Sequence, residues 1–237
     1  MTQIKLGEIT VDVVRKDIKN IHLSVYPPTG RVRISAPSRI KLETIRVYAV
    51  SKLGWIKKQQ EKLRSQERET PRDYITRESH YFMGKRYLLK ITETDATQTV
   101  VLRHREIELV VKKGANLKQK QKLLEDWYRK RLRQRAGKYI AFWEKQMNLK
   151  VAEFGIKRMR TKWGSCNREA KRIWLNLELA KKPKECLEYI VVHEMVHVLE
   201  RNHGTRFVAL MDQFLPQWRQ YKDELNRLPV GHSNWRY

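Results

Sequence analysis

The sequence predicts an α+β protein: a β-rich N-terminal region, then a helix-rich half carrying one short chemical motif. Apolar residues alternate at period two in several short runs before Val111, the spacing of strands with one buried face. Beyond Gly114-Ala115-Asn116 the apolar spacing turns helical. Within that second half lies His193-Glu194-Met195-Val196-His197, embedded in an apolar helical stretch.

Taken in order, Ile9, Val11 and Val13, then Ile21, Leu23 and Val25, predict two strands. Pro27-Pro28-Thr29-Gly30 signals a turn and Val32 and Ile34 resume the alternation, so a hairpin is expected. Leu42, Ile45, Ala49, Leu53 and Ile56 predict one helix, ending in the polar run Glu61 to Thr70 before Pro71. Tyr81 to Tyr87, centred on Gly84, reads as a tight turn between strands; Val100 and Leu102, then Ile107, Leu109 and Val111, predict two more. The break at Gly114 places a domain boundary there, giving regions 1–115 and 116–237.

Leu117 to about Asn148 predicts a long helix with apolar contacts from Leu124, Trp127, Leu132, Tyr139, Phe142 and Trp143. Phe154 to Arg160 and Ile173 to Leu179 predict strands joined through Trp163-Gly164-Ser165-Cys166. A helix starts at Lys182-Pro183-Lys184-Glu185, with proline in its first turn. It is expected to run to about Asn202, where Gly204 is placed to end it. Helical sequence resumes from Phe207 to Leu228, interrupted by Pro216, and no internal repeat is visible.

The chain has 237 residues, 41% apolar and 32% charged, the composition of a soluble globular protein. No apolar run approaches the length of a membrane span, and Met1 to Ile9 lacks the continuous apolar stretch of a signal peptide. Cys166 and Cys186 are too few for a disulfide scaffold. A reduced, cytoplasmic protein with no membrane association is expected. Lys and Arg number 51 against 26 Asp and Glu, a formal charge of +25, which favours polyanionic partners. The densest positive stretch is helix 117–138, with Lys118, Lys120, Lys122, Arg129, Lys130, Arg131, Arg133, Arg135 and Lys138. It reads either as a solvated face or as a surface for non-specific nucleic-acid binding.

Residues four apart lie one turn above each other on a helix, so His193 and His197 point the same way. Glu194 is displaced by about 100°, beside the open side of an ion held by the pair, where its carboxylate can take a proton from water. This is the mechanical content of the H-E-x-x-H motif. Ile190-Val191-Val192 before it and Met195, Val196, Val198 and Leu199 within it predict a buried helix, and buried imidazoles and carboxylates need partners.

Catalytic zinc takes three protein ligands and leaves one position open. His203 is the main candidate for the third; on an unbroken helix it would lie about 240° from His197, so the chain must turn at Asn202-His203-Gly204. Glu200 is the rival, three residues beyond His197; Asp212, Asp223 and Glu224 are further ones. Cys186 falls about 10 Å from His193 along the helix axis, too far to share its ion. Cys166 has no identifiable base, and His22, His80 and His104 read as ordinary.

The residues that carry this chemistry resemble a known family. Arg160-Thr161-Lys162-Trp163-Gly164-Ser165-Cys166, Ile173-Trp174-Leu175-Asn176-Leu177, Tyr189 to Glu194, Asn202-His203-Gly204 and Phe207 are similar to the YgjP-like metallopeptidases, relatives of the SprT-like zinc proteases among the zincins. The resemblance is specific over roughly Phe154 to Trp218 and looser before it. It implies a zincin-like α/β core, zinc held at His193, His197 and His203, Glu194 as catalytic base, and a substrate cleft lined by the strands preceding the active-site helix. The ligand spacing matches that of the metzincins, but this chain has Glu200 where that class has glycine, so a differently built helix end is expected.

The chemistry expected is hydrolysis of peptide bonds through a metal-activated water with Glu194 as general base. An oxyanion donor is also needed; Arg160, Tyr189 and His232 are candidates, and Trp163 to Cys166 reads as cleft edge or as a glycine turn under a packed Trp. The alternative is a basic nucleic-acid-binding protein whose metal is mainly structural, or a protease acting on nucleic-acid-bound proteins.

Overall fold

In the first described strands, apolar alternation sets the sheet. The computed structural model describes residues 2–26, 29–65, 72–159 and 162–229, in two compact units, Met1–Arg68 and Glu69–His232. The first unit holds β1 (Thr2–Leu6), β2 (Ile9–Lys16), β3 (His22–Tyr26) and β4 (Arg31–Pro37) in the order β1-β2-β4-β3. Its core is the inward face that alternation marks: Val11, Val13, Val32 and Ile34, packed with Ile45, Ala49 and Ile56. The expected hairpin is present between β3 and β4, though Pro27 and Pro28 lie outside the described residues. β1 was not expected; Ile4 and Leu6 alone carry its alternation. The single helix expected over this region is two, α1 (Leu42–Ser51) and α2 (Leu53–Ser65), broken at Lys52, whose amide bonds back to Ala49 O in a tightened last turn. From α2, Gln60 donates to Gly30 O at 2.8 Å and so ties the helix to the β3–β4 turn.

The second unit opens with β5 (Ser79–Phe82), β6 (Lys85–Thr94), β7 (Thr99–Leu102) and β8 (Glu106–Lys112), in the order β5-β6-β8-β7. Both four-stranded sheets thus run hairpin, parallel pair, hairpin, a repeat of topology without a visible repeat of sequence. Met83 and Gly84 form the β5–β6 turn with positive φ, 49° and 78°, and their amides donate to Ala180 O and Lys181 O. A Cβ on Gly84 would stand 3.0 Å from Pro183, so the turn approaches the chain closely at the start of the later helix. Gly114, expected at a domain boundary, is a turn inside this unit. Asn116 beyond it caps α3 (Leu117–Gln146), its side chain and that of Gln119 satisfying each other's main-chain amides.

The three-stranded sheet that carries the site contains β9 (Glu153–Lys157), β10 (Gly164–Asn167) and β11 (Arg172–Asn176), in the order β10-β11-β9. Two sequence expectations change here. Gly164 to Asn167, read as a joint, is an edge strand, and the second expected strand stops at Asn176. Leu177–Lys181 is instead a 3₁₀ turn, because the Asn176 side chain accepts from Glu178 N at 3.2 Å and caps it. Next come α4 (Lys184–Leu199), α5 (Thr205–Phe214) and α6 (Trp218–Arg227). α4 packs against β10, α3, α5 and α6 and is buried on nearly every side. Among the described residues no helix is long and apolar enough to cross a membrane.

Asn176 is the pin of this arrangement. Its buried amide donates to Met159 O at 3.0 Å and Lys162 O at 2.8 Å, its own main-chain N–H donates to Trp163 O at 2.8 Å, and Oδ1 accepts from Met159 N. Removing it takes the partner from two part-buried carbonyls, each a loss on the order of 1–3 kcal/mol. Asn176→Ala is therefore expected to lower unfolding stability by about 2–4 kcal/mol, measured by urea denaturation. A change within error would show that the pin carries no weight.

Candidate metal centre

His193 and His197 stack one turn apart on α4, their rings edge to face with centroids 4.8 Å apart. The helix ends sooner than expected. Glu200 N still donates to Val196 O, but Glu200 itself is extended, φ −135° and ψ 121°. That conformation is open to any residue, so no glycine is needed at this helix end. Gly204, expected to stop the helix, caps the N-terminus of α5 instead. The short turn from Glu200 brings His203 back over the helix. Its Nε2 lies 3.1 Å from Nε2 of His197 and 3.2 Å from Nε2 of His193. Among the described residues these three are the group of side chains arranged to hold a metal ion.

The donor set fits a tetrahedral ion. Two nitrogens each about 2.0–2.1 Å from a tetrahedral zinc stand about 3.3–3.4 Å apart, close to the separations found. Burial, reinforced by the neighbouring imidazoles and Lys222, pushes His193 down to about 3, so its ring is neutral at neutral pH, and the same causes lower His203. Ring nitrogens at this distance either share a proton between them or give their lone pairs to a cation. His197 Nδ1 lies 3.0 Å from Glu200 O; a proton there donates to that carbonyl and leaves Nε2 free as a ligand. Nδ1 of His193 is buried with no hydrogen-bond partner among the described residues.

Phe207 of α5 is the floor of the cluster. Its ring lies 5.0, 4.8 and 4.7 Å from the rings of His193, His197 and His203. The rival ligand Glu200 turns away, accepting from Asn202 N and facing Arg206. Asp212 is paired with Arg219 and Trp218, and Glu224 approaches Cys186.

Glu194 is 5% exposed and faces β10. Burial pushes its carboxyl up to about 8, against the field of Lys162. The room it occupies exists because residue 164 has no side chain: a Cβ there would stand 2.5 Å from Glu194 Oε1 and 2.7 Å from its Cγ. Sequence reading left Gly164 as either cleft edge or a plain turn; the structure makes it the wall of the carboxylate's slot. Together with Lys162, Trp163 and Cys166, the three histidines and Glu194 line an open cleft of about 1030 Å³. Tyr189 lines it too, stacked on Trp218 and edge-on to His193. Its phenol is pushed up to about 12 by burial and by Glu194 and Asp223, so it keeps its proton. The Cys166 thiol is pushed up to about 11, chiefly by burial, and is no nucleophile at neutral pH. Arg160 and His232, the other oxyanion candidates, lie outside the described residues.

A mixed sheet under a buried H-E-x-x-H helix, with a third histidine returned onto it, belongs to the class of metal-dependent peptidases, and comparison with known proteins agrees. A model of the YgjP-like metallopeptidase domain matches residues 19–228, and the chain belongs to that family. No curated protein matches it. Among solved structures it is similar to the metallopeptidase zymogen of Pyrococcus abyssi abylysin, with TM-score 0.36 and 14% identity over 38% of this chain and 90% of that one. It is also similar to the metallopeptidase zymogen of Methanocaldococcus jannaschii jannalysin, with TM-score 0.34 and 20% identity over 40% and 92%.

Two substitutions separate the parts of the site. Gly164→Ala should displace Glu194 and lower peptide hydrolysis at least about 100-fold, the scale of a lost general base, while metal content by elemental analysis stays near wild type. Phe207→Ala should do the reverse first: loosening all three rings, it is expected to weaken metal affinity roughly 10- to 100-fold, as loss of a ligand-orienting contact does, read by competition with a chromogenic chelator. Unchanged affinity would remove Phe207 from the site.

Proposed function

We propose that the protein is a zinc-dependent peptidase in which Glu194 is the general base. The observation that carries this reading is the convergence of three Nε2 atoms at the mouth of an open cleft that Glu194 also lines. Three imidazoles with one side left open suit catalytic zinc, whereas structural zinc sites are closed by four protein ligands. His193, His197 and His203 would hold the ion. When bound, it supplies Lewis acidity that polarises a carbonyl and makes water a nucleophile near neutral pH.

The chain's own residues do the rest. Glu194, confined by Gly164 and brought below its cation-free value by the charge of a held ion, accepts the proton of the attacking water and returns it to the leaving amine. The protonated phenol of Tyr189, held by Trp218 and His193, is the described group best suited to donate to the developing oxyanion. Trp163 and β10 form the wall against which an exposed or unfolded segment of a protein substrate lies. Two free thiols, Cys166 and Cys186, fit a reducing, cytoplasmic setting.

Glu194→Gln should retain about one zinc per chain and lose peptide cleavage by roughly 10²- to 10⁴-fold. His203→Ala should lose the metal and Glu200→Ala keep it, both by elemental analysis after dialysis against a weak chelator. Zinc retained in the His203 variant and lost in the Glu200 variant would overturn the ligand set. Full cleavage by Glu194→Gln would remove that residue from the mechanism.

A further inference from the structure

The basic helix α3 does not offer all its cations to a ligand. Arg129 donates to Ile156 O at 2.7 Å and Arg133 lies over the Phe154 ring, so both are turned to β9. Two of its three acids are engaged as well: Glu125 holds Arg158 and Glu144 holds Lys150. Among the other cations of the helix, those of its C-terminal half form a stripe. Residues 131, 135, 138, 142 and 145 step by four, three, four and three, which keeps them within about 80° of one helix face over about 21 Å. They are Arg131, Arg135, Lys138, Phe142 and Lys145, all exposed. None of the four cations is in an ion pair among the described residues. Arg131 lies over Trp127 one turn back, and Arg135 bonds to the Tyr139 hydroxyl, contacts that steady the guanidinium groups on the surface. Phe142 is 52% exposed in the middle of this charge.

We infer that this face of α3 binds single-stranded nucleic acid, with backbone phosphates on Arg131, Arg135, Lys138 and Lys145 and an unstacked base on Phe142. A cationic track interleaved with an aromatic platform is what an unpaired strand requires. A duplex, whose bases stay stacked, has no use for the ring. A membrane surface calls for a broad apolar face, and here one aromatic side chain stands among cations. An acidic protein would use the cations alone. The inference stands apart from the peptidase reading and needs no catalytic residue.

The test is fluorescence anisotropy of the full chain with a labelled 20-nucleotide oligothymidylate across a salt series. With four phosphate contacts, log affinity against log salt should have a slope of about −3. The triple variant R131E, R135E and K138E, at exposed positions and with its fold checked by circular dichroism, should weaken binding more than about tenfold and flatten the slope. Phe142→Ala should weaken binding at least about fivefold and leave the slope unchanged. An unaffected triple variant would overturn the site. So would a neutral Phe142→Ala accompanied by equal binding of polyglutamate or tighter binding of duplex, which would leave only general polyanion attraction.

Discussion

A helix buried on nearly every side that carries two imidazoles and a carboxylate creates a debt that the surrounding chain must meet. The second unit is arranged around that debt. The imidazoles meet a third ring and an aromatic floor, and their outward nitrogens converge on a space fitted to a cation. The carboxylate takes the one place on the neighbouring strand where no side chain stands. Asn176 then holds the segment leading into that strand by bonding its main chain on both sides. The Asn176 bonds satisfy main-chain groups that would otherwise lose their partners, while the carboxylate stays penalised by burial.

The first two of these arrangements have different sequence ranges, and this decides what could be read in advance. The three-histidine cluster was legible because it is local. His193 and His197 are related by helical period, and His203 lies just past residues suited to a turn. The manner of the turn was less so. Gly204 drew attention as a stop, yet the helix ends at Glu200 by an ordinary extended residue, which any amino acid supplies. The placement of Phe207 under the three rings and the slot at Gly164 were not legible, since each depends on which element packs against α4, and periodicity carries no such information.

The sheets show the same limit. Alternation located most strands, and the turns at Gly30 and Gly84 placed the hairpins. β1 was too short for its two apolar residues to register, and β10 was hidden because Gly-Ser-Cys-Asn resembles a loop in composition. The shared order of the two four-stranded sheets is invisible in sequence, because a topology needs only matching patterns of burial. Likewise the break at Gly114 resembled a boundary, while the single core joining β8, α3 and α4 lies across it.

The slot at Gly164 has a consequence for how the site assembles. The three ring nitrogens come from one short stretch of chain, so little loop entropy opposes their meeting once α4 and its turn exist. Glu194 and Gly164 are roughly thirty residues apart and on different elements, and they meet only when β10 docks, a contact of higher order that forms more slowly. In a partly folded chain the three imidazoles can thus meet while the carboxylate remains unconfined. Convergence of the three rings and confinement of the carboxylate are separate steps in the assembly of this fold, and the glycine belongs to the second.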